Sequence, residues 1–176
     1  MDLPQQRRAV LVSTFGDKGV RDPAIIRSHD GKKFYLLATD LRIANRKGWG
    51  AARHQGSTSL IIWESIDLVN WSEPRMVVIA SAIPEAGCAW APEAIYDDST
   101  GDYFVYWTTM SPRNGVTEGR IYYARTKDFR TFTPPVLYNR AQRPRRHHRH
   151  ADHRGTGAEA PLLSRLARPP DHVRRC

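Results

Sequence analysis

The chain has 176 residues, of which 40% are hydrophobic, and a formal net charge of +9; it is long enough for one ordinary domain with a core and short for two. No run approaches the roughly 18 apolar residues a membrane span needs, and the N-terminal MDLPQQRRAV lacks the apolar stretch of a secretory signal. Cys88 and the terminal Cys176 form neither a disulfide framework nor a metal-ligand spacing, and the compartment is left open.

The charge is concentrated at one end. Residues 1–139 hold 17 Lys and Arg against 15 Asp and Glu, whereas residues 140–176 hold 10 Arg against 3 acids, together with five of the seven histidines. All 17 aromatic residues precede position 139, so any core belongs to the first part.

In chain order, DPAIIRSHDGKKFYLLATD (22–40) reads as a short apolar strand, a turn at His29-Asp30-Gly31 and a second strand. The loop NRKGWGAARHQGS follows, and then LIIWESIDLVNWSEPRMVV (60–78) supplies two further strands. The pattern then recurs. APEAIYDDSTGDYFVYWTT (91–109) overlays the first hairpin with an offset of 69, placing Pro23 over Pro92. IYYARTKDFRTFTPPVLY (121–138) overlays the second pair with an offset of 61, placing Asp67 over Asp128 and Trp71 over Phe132. The shorter offset fits a shorter connection, SPRNGVTEGR, in the second copy. Each copy therefore predicts a four-stranded antiparallel unit without a helix, the form of a propeller blade. The alternative on pattern alone is a β-sandwich.

Two carboxylates fall near equivalent points of the copies. Asp22 and Glu93 each stand beside a proline and just ahead of the first apolar strand. Blades direct equivalent positions toward one axis, and paired carboxylates in unequal surroundings suit acid–base cleavage of a glycosidic bond. Asp-Pro also starts turns, and a Glu at a strand start also serves as a solvated residue.

GVRDPAIIRSHDGKKFYLLATDL, WESIDLVNWSEPRMV and WAPEAIYDDSTGDYFVYW together resemble the first two blades of glycoside hydrolase family 43 over about residues 9–138. The resemblance implies an all-β fold, a partial five-bladed β-propeller at 1–139, and a saccharide partner among arabinose- and xylose-containing plant polysaccharides. It implies Asp22 as general base of an inverting hydrolysis and Glu93, where Asp is common in the family, as modulator of the proton donor's pKa. The donor itself is a third-blade Glu within a Glu-Gly segment. Glu118-Gly119 lies inside the second copy, in the loop before RIYYARTKDFRTF, and is not given that role. The family's axial metal site, where present, is built from later blades, so no metal or cofactor is expected here. Trp90, Trp49 and Arg21 are candidate substrate contacts, whereas Trp63, Trp71 and Trp107 are expected to pack between blades. Arg21 has the ordinary alternative of an exposed surface arginine.

From Arg140 the composition changes abruptly, with no Phe, Tyr, Trp, Ile, Met, Asn or Lys. Apart from Trp, these are the residues of AT-rich codons, as in a GC-rich gene read out of frame. Residues 140–176 are thus expected to be a frameshifted, disordered Arg/His/Pro-rich tail. Nucleic-acid binding through this basic segment, or metal binding by His147, His148, His150 and His153, are the alternatives; no nucleic-acid or membrane partner is expected of the rest. With only two blades, the isolated chain is expected to be inactive or nearly so, and a non-catalytic carbohydrate-binding remnant is the rival reading.

Overall fold

Both hairpin signals become real turns. In the computed structural model, which describes residues 11–45 and 48–139, β1 (Val20–Arg27) pairs antiparallel with β2 (Phe34–Asp40) through a turn in which Gly31 has φ +75°. The Asp30 carboxylate accepts from the Ser28 hydroxyl and the Lys32 amide. The strands β3 (Ser59–Ser65) and β4 (Arg75–Val78) complete a sheet of order β1-β2-β3-β4.

The second half repeats this order with β5 (Trp90–Asp97), β6 (Asp102–Arg113), β7 (Val116–Thr126) and β8 (Val136–Leu137). The registers reproduce the sequence repeat. Arg21 faces Thr39 in the first sheet and Trp90 faces Thr108 in the second, each pair related by 69 positions. Ile61 faces Met76 and Tyr122 faces Leu137, each related by 61. The third-strand turn also repeats: Asp67 and Asp128 each accept backbone amides two and three residues on, and Leu68 and Phe129 are both left-handed.

Alternation along the strands explains the packing. Tyr35 and Leu37 on β2, with Leu60 and Ile62 on β3, point to one face and meet Tyr103, Val105 and Trp107 of β6 and Phe129 in a shared core. Ala38, Ile61 and Trp63 point to the opposite face of the first sheet and pack with Leu11, Leu36 and Trp71. That face borders a cavity of about 290 Å³ lined in part by Val20, Pro23 and Trp71. On the far face of the second sheet, Phe104 stacks on Tyr123 at 4.3 Å and meets Tyr138 edge-on. A sheet apolar on both faces is built to lie between others, which is the blade arrangement. Trp107 accordingly lies between the two sheets, whereas Trp63 and Trp71 lie on the first sheet's other face.

Polar ties cross the same interface. Glu64 on β3 receives Lys33 at 3.3 Å, Arg75 at 2.7 Å and Arg130 of the second half at 3.0 Å. The His29 amide donates to the Tyr103 hydroxyl at 2.9 Å, and its ring stacks on Tyr96.

Two local expectations are corrected. The connection around Asn114-Gly115 is not a loop but the tip of a long hairpin, with Glu118 paired opposite Ser111 inside β7. Asn-Gly at φ +52° and +75° is the chemistry of a tight two-residue turn. The long connection of the first half contains a helix, α1 (Trp49–His54), preceded by a 3-10 turn at Ile43–Asn45. Six residues are too few to show a helical period; α1 is held by buried Ala52 and by the Gly56 amide on the Gly87 carbonyl. No helix among the described residues is long and apolar enough to cross a membrane.

Candidate active site

The first strands of the two sheets, β1 and β5, lie against each other. Each is broken at the same place: the register shifts between Arg21 and Ala24 in β1 and between Trp90 and Glu93 in β5. Asp22 and Ala91, the residues before the prolines, have φ of +49° and +50°. A bulge with a left-handed residue bends a strand and re-aims the neighbouring side chains. Asp tolerates that conformation better than Ala, whose methyl meets the following carbonyl.

Asp22 and Glu93, the two carboxylates singled out in the sequence, are both exposed on these adjoining strands. They are near-equivalents rather than equivalents: by register Asp22 corresponds to Ala91 and Glu93 to Ala24. The two acids therefore flank the shared bulge from opposite sides of the proline. Asp22 Oδ2 accepts a hydrogen bond from the Thr39 hydroxyl at 3.3 Å. Thr39 is wholly buried on β2.

Arg21, Trp49 and Trp90 form one cluster beside the carboxylates. The Arg21 guanidinium lies 5.1 Å from the centre of the Trp49 ring, a cation–π contact. Trp49 meets Trp90 edge-on with ring centroids 6.3 Å apart. Trp49 is 49% exposed and Trp90 half-buried, and among the described residues the buried Trp90 indole Nε1 has no hydrogen-bond partner. An indole N–H in that state is a donor awaiting an acceptor. Helix α1 brings Trp49 here, and its seat is tight: a Cβ at Gly56 would collide with the Ala52 carbonyl oxygen, and one at Gly87 with that of Arg53. Aromatic faces next to acceptor carboxylates and a guanidinium suit a sugar, which is apolar on its C–H faces and polar at its rim.

Glu118 is exposed and pairs with Arg120 at 3.0 Å, on the second sheet's hairpin. Among the described residues no group of three His, Cys, Asp or Glu side chains could hold a metal ion. The tail and its histidines fall outside the described residues, as does Cys176. Cys88 is buried with a free thiol, and burial pushes its pKa up.

Reading residues in sequence missed Thr39 and the left-handed Ala91. A signal was present: Thr39 and Thr108 occupy the same place in the two copies, where the surrounding strand is apolar.

A family profile related to glycoside hydrolase family 43, described as "Probable glycosyl hydrolase domain", matches residues 3–151, twelve positions beyond Asn139. An alpha-L-arabinofuranosidase of Bifidobacterium longum subsp. longum is 35% identical over 147 residues, covering 74% of this chain. The chain spans 14% of that relative's length. Among solved structures, an alpha-L-arabinofuranosidase of Podospora anserina in complex with cellotriose aligns over 68% of this chain and 31% of its own, with 15% identity and a TM-score of 0.42. An exo-beta-1,3-galactanase of Clostridium thermocellum aligns over 73% and 27%, with 18% identity and a TM-score of 0.45. With most of its length inside the matched profile and two blade-like sheets in repeat register, this chain belongs to the glycosyl hydrolase domains related to family 43.

Proposed function

We propose that this domain carries the general base of an inverting glycosidase acting on arabinose- or xylose-containing plant polysaccharides. Asp22 is the base, and Glu93 tunes the proton donor and holds the sugar. One observation carries the reading: two exposed carboxylates on adjoining first strands, next to the Arg21–Trp49–Trp90 cluster. In the reaction, water gives its proton to Asp22 as its oxygen attacks the anomeric carbon. The glycosidic bond breaks, and the leaving oxygen takes a proton from an acid roughly 6.5–9.5 Å from the base. Family resemblance puts that acid in a third blade. The chain's own contribution is thus the base and the sugar-binding wall. The preference for arabinose draws on the name of the B. longum relative.

A substrate whose leaving group needs no proton isolates the base. On unactivated glycosides the chain is expected to be inactive or nearly so, but from an activated aryl α-L-arabinofuranoside it is expected to release the acidic phenol slowly, and Asp22→Asn to slow this by about 100-fold or more. Unactivated arabino-oligosaccharides are expected to bind and remain intact. Turnover unaffected by Asp22→Asn would sink the assignment of the base. Calorimetric binding with no Asp22-dependent turnover would favour the non-catalytic carbohydrate-binding reading, which the aromatic cluster alone could satisfy.

A further inference from the structure

The Thr39 hydroxyl hydrogen-bonds the left-handed residue of each bulge. Its Oγ1 accepts the backbone N–H of Ala91 at 2.9 Å and lies 3.3 Å from Asp22 Oδ2. A hydroxyl has one proton and two lone pairs. With a lone pair taken by Ala91, the proton is directed to the carboxylate. Thr39 is 0% exposed, so its hydroxyl is shielded from bulk water, and β-branching stiffens its χ1, holding the oxygen in place. The bulge in β5 lifts the Ala91 N–H out of the ladder with β6, so this donor needs an acceptor elsewhere. The two residues it joins are the paired left-handed positions of the repeat.

We propose that Thr39 is a positioning residue that fixes the Asp22 carboxylate against the backbone of the second blade, so that the orientation of the base depends on the seating of the two blades. The proposal rests on Asp22 being the base. One carboxylate oxygen, Oδ2, is held from within; among the described residues Oδ1 has no hydrogen-bond donor and is the oxygen left for water. Of the hydroxyl residues only Ser keeps the same oxygen on the same backbone position, and it does so without the stiffening methyl.

The test is nuclear magnetic resonance on the full chain, without sugar or turnover. Asp22→Asn removes the charged acceptor while keeping a residue tolerated at positive φ. It is expected to shift the Ala91 amide proton, two bonds of the relay away. Thr39→Val is expected to move that proton upfield, to speed its hydrogen exchange by about tenfold, and to abolish its response to Asp22→Asn. Thr39→Ser should retain the response and leave the Asp22 carboxyl carbon near its original ¹³C shift, which Thr39→Val should change. An Ala91 amide indifferent to Asp22→Asn in the otherwise native chain overturns the proposal, even if Thr39→Val fails to fold. A response that persists in Thr39→Val overturns it as well. Loss of the relay with Asp22-dependent turnover intact would leave the base assignment standing; an intact relay with Asp22-independent turnover would remove the base assignment instead.

Discussion

Asp22 and Ala91 share one backbone conformation at unequal cost. A left-handed residue other than Gly pays roughly 1–2 kcal/mol, and Asp recovers part of this because its short polar side chain is accommodated there. Ala91 has no such relief, so its conformation is imposed by Pro92, the bulge and the Thr39 hydroxyl. Ala91→Gly is therefore expected to be neutral to about 1 kcal/mol stabilising, the lost strain being partly offset by the freer unfolded chain. Ala91→Val is expected to destabilise by about 2 kcal/mol, because a branched side chain at positive φ clashes with its own backbone. Urea midpoints of the three proteins measure this directly. Equal midpoints for Ala and Val would show that the strand relaxes and that the left-handed turn is not demanded by the fold.

At the scale of elements, helix α1 shows how a short connection positions a side chain that regular strands cannot. Trp49 reaches Trp90 because the helix is seated on the Gly56–Gly87 backbone contact. Gly87 also donates to the Met110 carbonyl at 2.9 Å, tying the seat to β6. A methyl at Gly87 has backbone on its far side and no flexible neighbour to displace. Gly87→Ala is expected to cost about 2–3 kcal/mol and to weaken arabino-oligosaccharide binding about as much as Trp49→Ala, roughly tenfold. Calorimetry and thermal unfolding of both variants check the pair. If Gly87→Ala lowers stability while affinity holds, α1 does not position a sugar-binding ring. The motif tryptophan Trp90 was legible as a candidate from its place beside Glu93, and Trp49 from its exposed-loop composition. Their edge-to-face contact was not, since it depends on a helix too short to leave a periodic signature and on glycines whose importance lies in what approaches them.

Across the whole molecule, the two sheets share an apolar core, and ion pairs within the second sheet and between the sheets respond to acid. Burial would raise the Asp97 pKa, but hydrogen bonds from Ser99 and Arg125 outweigh it and hold the carboxyl at about 2. Arg125 reaches Asp97 at 3.0 Å and Asp102 at 2.6 Å, tying β7 to the β5–β6 hairpin. For Glu64 likewise, burial is outweighed by Lys33 and Arg75, and its pKa is lowered. Because the folded values are depressed, the unfolded chain binds more protons as pH falls from about 4. The stabilisation is present above that point and is lost with further acid, for Asp97 as pH falls through about 2. Asp97→Asn is expected to flatten part of this acid limb and to lower stability at pH 7 by about 2–3 kcal/mol, as followed by urea unfolding across pH; an unchanged acid limb would remove Asp97 from the account. The sequence by itself determined two four-stranded antiparallel units and the turns of their first hairpins, because alternation, Asp- and Gly-bearing turn chemistry and the 69- and 61-residue offsets are local or repeated information; the Asn114-Gly115 hairpin and helix α1 came from the structure. Only the tertiary structure decided that Asp22 and Ala91, which the 69-residue offset pairs, are both left-handed at matching bulges, that Trp63 and Trp107 serve opposite faces, and that Thr39 joins the bulges. That last bond spans 52 residues, and no local pattern marks a buried hydroxyl whose partners belong to a different sheet and to a bulge that has left its ladder.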